Sequence, residues 1–389
     1  MNNQPVFVVD EAIPFIVDLL KMDEGLGEVI ALPASAITSE SLRNVDALIV
    51  RSVTPVNENL LSQSRISFVG TATIGTDHLD IDWLDKKGIQ WQSAPGCNAL
   101  AVVQYVMSAI AWWGFNKQLE DFSCLTVGII GHGEIGGRLR RLLEYLRLDV
   151  LVHDPLKLAE EKIEESVSLA DLFHNSDIIT CHVPLILSGK YKTLNMLDIP
   201  SYLSQASNKL LVNTSRGGII SADSLRRWKQ KGGSLAIDVW PEEPQVDKSL
   251  VQLADIATSH IAGYSLEGKL KASQEVLKAI ESHFGKLSLE LTSESLPPLQ
   301  RVDIDKFDIP SQMTKEKFLY RSFIKSYPIF EESKSFKQDY TSGTFNFSKI
   351  RDSYNLRRDY SGQVWNTDSL EPTQKKEIIN LKHYLETLV

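Results

Sequence analysis

Cysteine is scarce in this chain. There are three in 389 residues (Cys97, Cys124 and Cys181), and no two of them form a CxxC pair. Such spacing offers neither a disulfide framework nor a zinc site. It reads as reduced thiols of a cytoplasmic protein with no bound metal. Basic residues are in deficit as well, with 41 Lys and Arg against 50 Asp and Glu, for a formal charge of −9. That balance argues against a nucleic-acid partner, because phosphate backbones are bound by basic surfaces. It leaves room for an anionic small molecule, which meets only the field of its own pocket. No apolar run is long enough for a membrane span. The longest, about Leu100 to Phe115, carries Gln104 and Ser108 and reads as a buried helix. The start, MNNQPVFVVDEAIP, has no basic region and meets Asp10 and Glu11, so it does not read as a signal peptide. Glycine becomes rare near the end: residues 291–389 hold two of the 22 glycines, yet 14 of the 32 Phe, Tyr and Trp. This shift, with Pro297-Pro298 beside it, marks a distinct C-terminal piece.

What remains is the composition of an ordinary globular protein, at a length that suggests two or three domains. Apolar runs at FVVD (7–10), ALIVRS (47–52), RISFVGTAT (65–73) and GIQWQSAP (88–95) read as strands. Helical stretches lie between them, one closing on Gly88. A long helix from Asn98 to about Asn116 leads to a second alternating set: TVGIIG, DVLVHDP, DIITCHVP, KLLVNTSRG, GGSLAIDVW and ADIATSHIAG. Strand–helix alternation of this kind predicts α/β domains with parallel sheets.

Within the second set, Gly131-His132-Gly133-Glu134-Ile135-Gly136 fits GxGxxG after a strand and before a helix, and Asp154 ends the next strand. Gly131 permits a tight turn, Gly133 lets a pyrophosphate approach the backbone, and Gly136 allows close packing of helix on strand. Asp154 would accept from ribose hydroxyls and repel an extra phosphate, which favours NAD over NADP. Three further motifs stand at strand ends: NTSRGG (213–218), DVWPEEP (238–244) and SHIAGY (259–264). They bring an Arg, a Glu and a His to the edge where ligands bind in open α/β sheets. The arginine fork can hold a carboxylate, and a histidine can take or give a proton. A carboxylate beside that histidine favours and orients its charged form.

These stretches, with VGTATIGTDHLD and APGCNALAVVQYV, run in an order that resembles the D-2-hydroxyacid dehydrogenase family over roughly residues 5–285. The resemblance implies two Rossmann-like parallel-sheet domains plus a C-terminal α+β dimerisation domain. Residues 1–97 with 263–289 would bind substrate, 98–262 would bind NAD, and 290–389 would form the homodimer. It makes Arg216, Glu243 and His260 catalytic, Glu243 rather than Glu242 because the family's acid directly precedes the proline. Asp154, Asp238 and Gly263 match cofactor-contacting positions, as do Gly131, Gly133, Glu134, Ile135 and Gly136. Val183 stands where a Thr is often found near the nicotinamide. Ser52, Thr73 and Tyr264 match substrate-contacting positions. VRSVTPVNENLL, the KYKTL run, HIAGYSLEGK and KIRDSYNLRRDY resemble a branch that acts on a small anionic phosphorylated hydroxy acid of four carbons, in pyridoxal phosphate synthesis. For the phosphate, Arg51 beside Ser52 is a candidate, though it can equally pair with an acidic neighbour. Arg357 and Arg358 read as a solvated face, with reach into a partner's site as the alternative. Dehydrogenases of 3-phosphoglycerate or glycerate, or an NAD-sensing binding protein, are the rival readings.

Overall fold

A computed structural model describes residues 4–22, 26–285, 297–304, 315–343 and 346–389. The chain divides into two compact units, Met1–Asn98 with Ser265–Leu299, and Ala99–Tyr264 with Gln300–Val389. The boundary expected at 289/290 lies outside the described residues.

The first unit is a five-stranded parallel sheet of β1 (Val6–Asp10), β2 (Glu28–Leu32), β3 (Ala47–Val50), β4 (Phe68–Thr71) and β5 (Gln90–Gln92), in the order β2-β1-β3-β4-β5. Every residue of β3 and β4 is buried, as befits strands covered on both faces. β2 (EVIAL) lies at the sheet edge and is only half-buried. An edge strand of that kind lacks the continuous apolar signature, so the sequence reading passes over it. The helix Leu266–Phe284 returns to this unit and packs on β4, with its first turn capped by Ser265 Oγ accepting from Gly268 N at 3.0 Å.

The second unit holds a six-stranded parallel sheet: β6 (Thr126–Ile130), β7 (Asp149–His153), β8 (Ile178–Cys181), β9 (Leu210–Asn213), β10 (Ser234–Ile237) and β11 (Ile256–Ala257). Its order is β11-β10-β9-β8-β6-β7, so the order in which strands are added reverses at β6 while all of them stay parallel. All carboxyl ends share one edge, and the glycine-rich turn, NTSRGG, DVWPEEP and SHIAGY leave from it.

The helix Ala99–Asn116 is buried on nearly all sides, which explains its uniformly apolar sequence. It packs on the helix Glu134–Tyr145 and on β9, and the helix Lys315–Ser326 also lies against it. Phe318, Phe323, Tyr327, Tyr360 and Trp365 share one core with Val103, Met107 and Ile110, and Phe122 stacks on Tyr320 with centroids 3.9 Å apart. The aromatic richness of the tail is thus used largely within the chain. Gln104 and Ser108, which interrupt the apolar run, face this tail. Ser108 Oγ donates to Phe323 O at 2.8 Å and Gln104 Nε2 to Ser326 Oγ at 2.9 Å. A small parallel pair, β12 (Gln300–Asp303) and β13 (Gln363–Asn366), completes the unit.

Candidate active site

The glycine-rich turn follows β6. Gly131 has φ +96°, and a Cβ there would lie 2.7 Å from His182 O and 2.8 Å from Val183 Cγ1. Val183 therefore flanks the turn. A Cβ on Gly136 would meet Gly131 O at 2.0 Å, so the helix Glu134–Tyr145 can seat against the turn only with glycine there. Gly133 is different: a Cβ on it would meet nothing within 4 Å. Its extended backbone faces open space at the helix N-terminus, where free N–H groups suit a pyrophosphate. Glu134 turns back to pair with Arg138, and Ile135 packs on the core. Asp154 directly follows β7, one carboxylate oxygen accepting from His132 N at 2.8 Å and the other from Lys157 N at 2.9 Å. The carboxylate is thereby fixed beside the turn, and the donors, open space and acid fit a dinucleotide.

Next come the loops after β9, β10 and β11. Asn213 staples the first, its Oδ1 accepting from Ser215 N and Oγ at 3.1 and 2.8 Å while its Nδ2 donates to Arg216 O at 3.0 Å. Arg216 Nη1 donates to Ser215 O at 2.8 Å. Gly217 brings this loop against the second: a Cβ there would sit 1.8 Å from Trp240 O. Trp240 links all three loops. Its backbone N–H donates to Glu243 Oε1 at 2.7 Å and its indole to Thr258 O at 2.8 Å. Asn213, Gly217 and Trp240 were not singled out from sequence. Gly217 and Trp240 lie within the NTSRGG and DVWPEEP motifs, but only a contact between motifs reveals their work.

Glu243 Oε2 lies 2.8 Å from His260 Nδ1. Burial raises the Glu243 pKa, but the hydrogen bond and charge of His260, the Trp240 N–H and the charge of Arg351 together outweigh it and hold the acid below its ordinary value. Glu242 points its backbone elsewhere, with φ +63°. His260 also has a left-handed backbone, φ +62°, and its N–H donates to Asp238 O at 2.8 Å. The buried Asp238 carboxylate accepts from Thr258 Oγ1 at 2.7 Å, Ile261 N at 2.8 Å and Ala262 N at 3.0 Å. Its observed work is to hold the histidine loop on both sides of His260, through Thr258, Ile261 and Ala262. Strain at His260 is sustained by these bonds.

Arg357 departs from the solvated face expected of it. Its guanidinium donates to Ile261 O at 2.8 Å, Tyr264 O at 3.1 Å, Ala101 O at 2.9 Å and Gln104 Oε1 at 3.1 Å, and also to Ala262 O. It sits 4.3 Å from the Tyr327 ring centroid. Acceptors from residues 101 to 264 converge on it, a convergence invisible in one dimension.

In the first unit, Arg51 forms a two-toothed pair with the buried Asp10, at 2.9 and 3.3 Å. Ser52 follows it, exposed. Thr73 Oγ1 bonds Thr71 Oγ1 at 2.9 Å and Gly75 O at 3.0 Å, and Thr71 Oγ1 in turn bonds His78 Nε2 at 2.9 Å. Among the described residues no group of three His, Cys, Asp or Glu could hold a metal, and no helix is long and apolar enough to cross a membrane.

His182, after β8, is bonded to Thr180 Oγ1 at 2.9 Å and Thr214 Oγ1 at 3.3 Å, and burial pushes its pKa down to about 3. The unfolded chain takes up this proton first as pH falls, so stability present above about pH 6.5 is lost progressively toward pH 3. Unfolding free energy should drop by about 1 to 2 kcal/mol between pH 7.5 and 5 on this account. In urea titrations His182→Asn should flatten that slope; an unchanged slope would contradict the assignment.

Residues 100–262 match the family described as D-isomer specific 2-hydroxyacid dehydrogenase, NAD binding domain. The chain is 42% identical over 293 residues to the erythronate-4-phosphate dehydrogenase of Serratia proteamaculans, covering 74% of this chain and 76% of that one. It belongs to the D-isomer-specific 2-hydroxyacid dehydrogenase family. This family member is an NAD-dependent oxidoreductase. Over 358 residues it is also 35% identical to the erythronate-4-phosphate dehydrogenase of Wigglesworthia glossinidia brevipalpis, covering 91% of this chain and 92% of the relative. Its fold is similar to that of D-lactate dehydrogenase from Aquifex aeolicus complexed with NAD and lactic acid, with TM-score 0.57 and 24% identity, covering 72% and 95% of the respective chains.

Proposed function

We propose that the chain oxidises 4-phospho-D-erythronate to 3-hydroxy-2-oxo-4-phosphobutanoate, a step of pyridoxal 5′-phosphate biosynthesis. The observation that carries the chemistry is the Glu243–His260 pair at 2.8 Å, set on the same sheet edge as the glycine-rich turn. With Nδ1 engaged by Glu243, the His260 Nε2 accepts the C2 hydroxyl proton. Glu243, kept ionised, stabilises the charged ring that results. Arg216 grips the carboxylate and orients C2. The chemistry a bound NAD would supply is an acceptor for the hydride of C2. Gly131, Gly133, Glu134, Ile135, Gly136 and Asp154 would hold the dinucleotide, with Val183, Asp238 and Gly263 near it. Ser52, Thr73, Tyr264 and Arg51 are the proposed substrate contacts, Arg51 while still held by Asp10.

The substrate's identity rests on the relatives' names, and we extend the reading to a homodimer built through the tail. In support, Leu299, Phe330, Val364 and Ile379 of that region are large apolar side chains left exposed. Free thiols at Cys97, Cys124 and Cys181 agree with a cytoplasmic setting. A panel of 2-hydroxy acids with and without a terminal phosphate, followed by NADH absorbance, tests the function. The phosphorylated four-carbon acid should be preferred by at least about 100-fold in kcat/KM, the scale of a charged hydrogen bond in a pocket. Equal rates on erythronate would reject the substrate.

A further inference from the structure

The mechanism above uses Arg216 for the carboxylate and leaves the substrate's second anionic end unassigned. The candidate arginines can be sorted by their existing partners. Arg51 already has a counter-ion in Asp10, and Arg357 spends its donors on loop carbonyls and Gln104. Arg351 is different. It belongs to the tail helix Phe347–Asp352, and its guanidinium carbon lies 5.4 Å from the ring centroid of Tyr264. Its Nε is buried with no hydrogen-bond partner, and among the described residues its side chain makes no ion pair. Tyr264 follows His260 by four residues, so Arg351 stands at the loop that carries the histidine, and its charge favours the ionised form of Glu243. Tyr264 in turn packs against Tyr354 of the same tail, with centroids 6.2 Å apart.

Arg351 is partly buried, with its Nε shut off from water and unpartnered, so its guanidinium gains from any anion that reaches it. Glu243 cannot be that anion, since its two oxygens are committed to Trp240 N and His260 Nδ1. We infer that Arg351 binds the phosphate of the substrate, making the tail a specificity-determining part of the site. Its planar fork matches phosphate oxygens, and the Tyr264 ring 5.4 Å away is a cation–π neighbour for it. The inference rests on the phosphorylated-substrate reading above and adds the residue that recognises the phosphate.

The test uses the full-length enzyme with Arg351→Gln and Arg351→Lys, assayed on 4-phosphoerythronate and on erythronate. Melting temperature and NADH affinity report whether the fold and cofactor site survive. The expected result is a fall of about 100-fold in kcat/KM on the phosphorylated acid for Arg351→Gln, with a far smaller fall on erythronate. Arg351→Lys should recover part of the loss, and inorganic phosphate should inhibit the wild type more strongly than the Gln variant. An equal loss on both acids would make Arg351 a support for Glu243 and overturn the inference, and so would no loss on either. If the wild type itself treats the two acids alike, the substrate reading falls, and the role of Arg351 falls with it.

Discussion

Replacing His260 by Asn is expected to lower kcat by about 10²- to 10⁴-fold while NADH binds as before, the range associated with loss of a positioned proton carrier. Asn is the informative choice because His260 has φ +62°, a region that Asn tolerates better than most residues. The backbone bond from residue 260 to Asp238 O can therefore persist, and the loop should keep its course. The dinucleotide turn lies after β6 and involves none of the bonds of the His260 loop, so NADH titrated by fluorescence should give an unchanged Kd. Turnover equal to wild type would remove His260 from the mechanism. A parallel loss of NADH affinity would instead mean that the loop had collapsed.

For Arg357→Ala the largest expected effect is on stability, with catalysis following. The variant leaves the carbonyls of Ala101, Ile261, Ala262 and Tyr264 without their donor, and it deprives Gln104 of one partner. Each buried acceptor left unsatisfied costs on the order of 1 kcal/mol or more, and the network as a whole should cost about 3 to 5 kcal/mol. Urea unfolding should therefore show a clearly lower midpoint. Because three of the freed carbonyls lie just after His260, kcat should also fall, by roughly tenfold or more. Arg357→Lys should rescue little, since one ammonium cannot serve acceptors spread around a planar fork. A variant with wild-type midpoint and kcat would show that the tail does not brace the catalytic loop.

The parts of this protein legible in the sequence are those in which one short segment does the whole job. β6 with its glycine turn is such a segment: the β-branched run, the three glycines and the acid at the end of β7 each serve a local geometric need. NTSRGG, DVWPEEP and SHIAGY are similar, since each is a strand end carrying one reactive side chain. β2 escaped notice because an edge strand is half-solvated and carries no continuous apolar run. Arg357 was read as solvated because a stretch rich in Arg and Tyr looks like surface when its neighbours in space are unknown.

Composition and motif spacing alone point to an α/β chain with a dinucleotide turn, an acid suited to NAD, and an Arg, a Glu and a His at strand ends; the hydroxy acid is what the family resemblance implies. Periodicity and glycine placement are local properties, and local physics suffices to read them. Only the tertiary structure decided that Glu243 reaches His260, that Gly217 lets two motif loops touch at Trp240, and that the aromatic tail packs on the helix Ala99–Asn116. It also decided that Arg357 is a brace and Arg351 is left without an anion of its own. Each of these depends on groups far apart in the chain meeting within a few ångströms. No one-dimensional pattern records that distance.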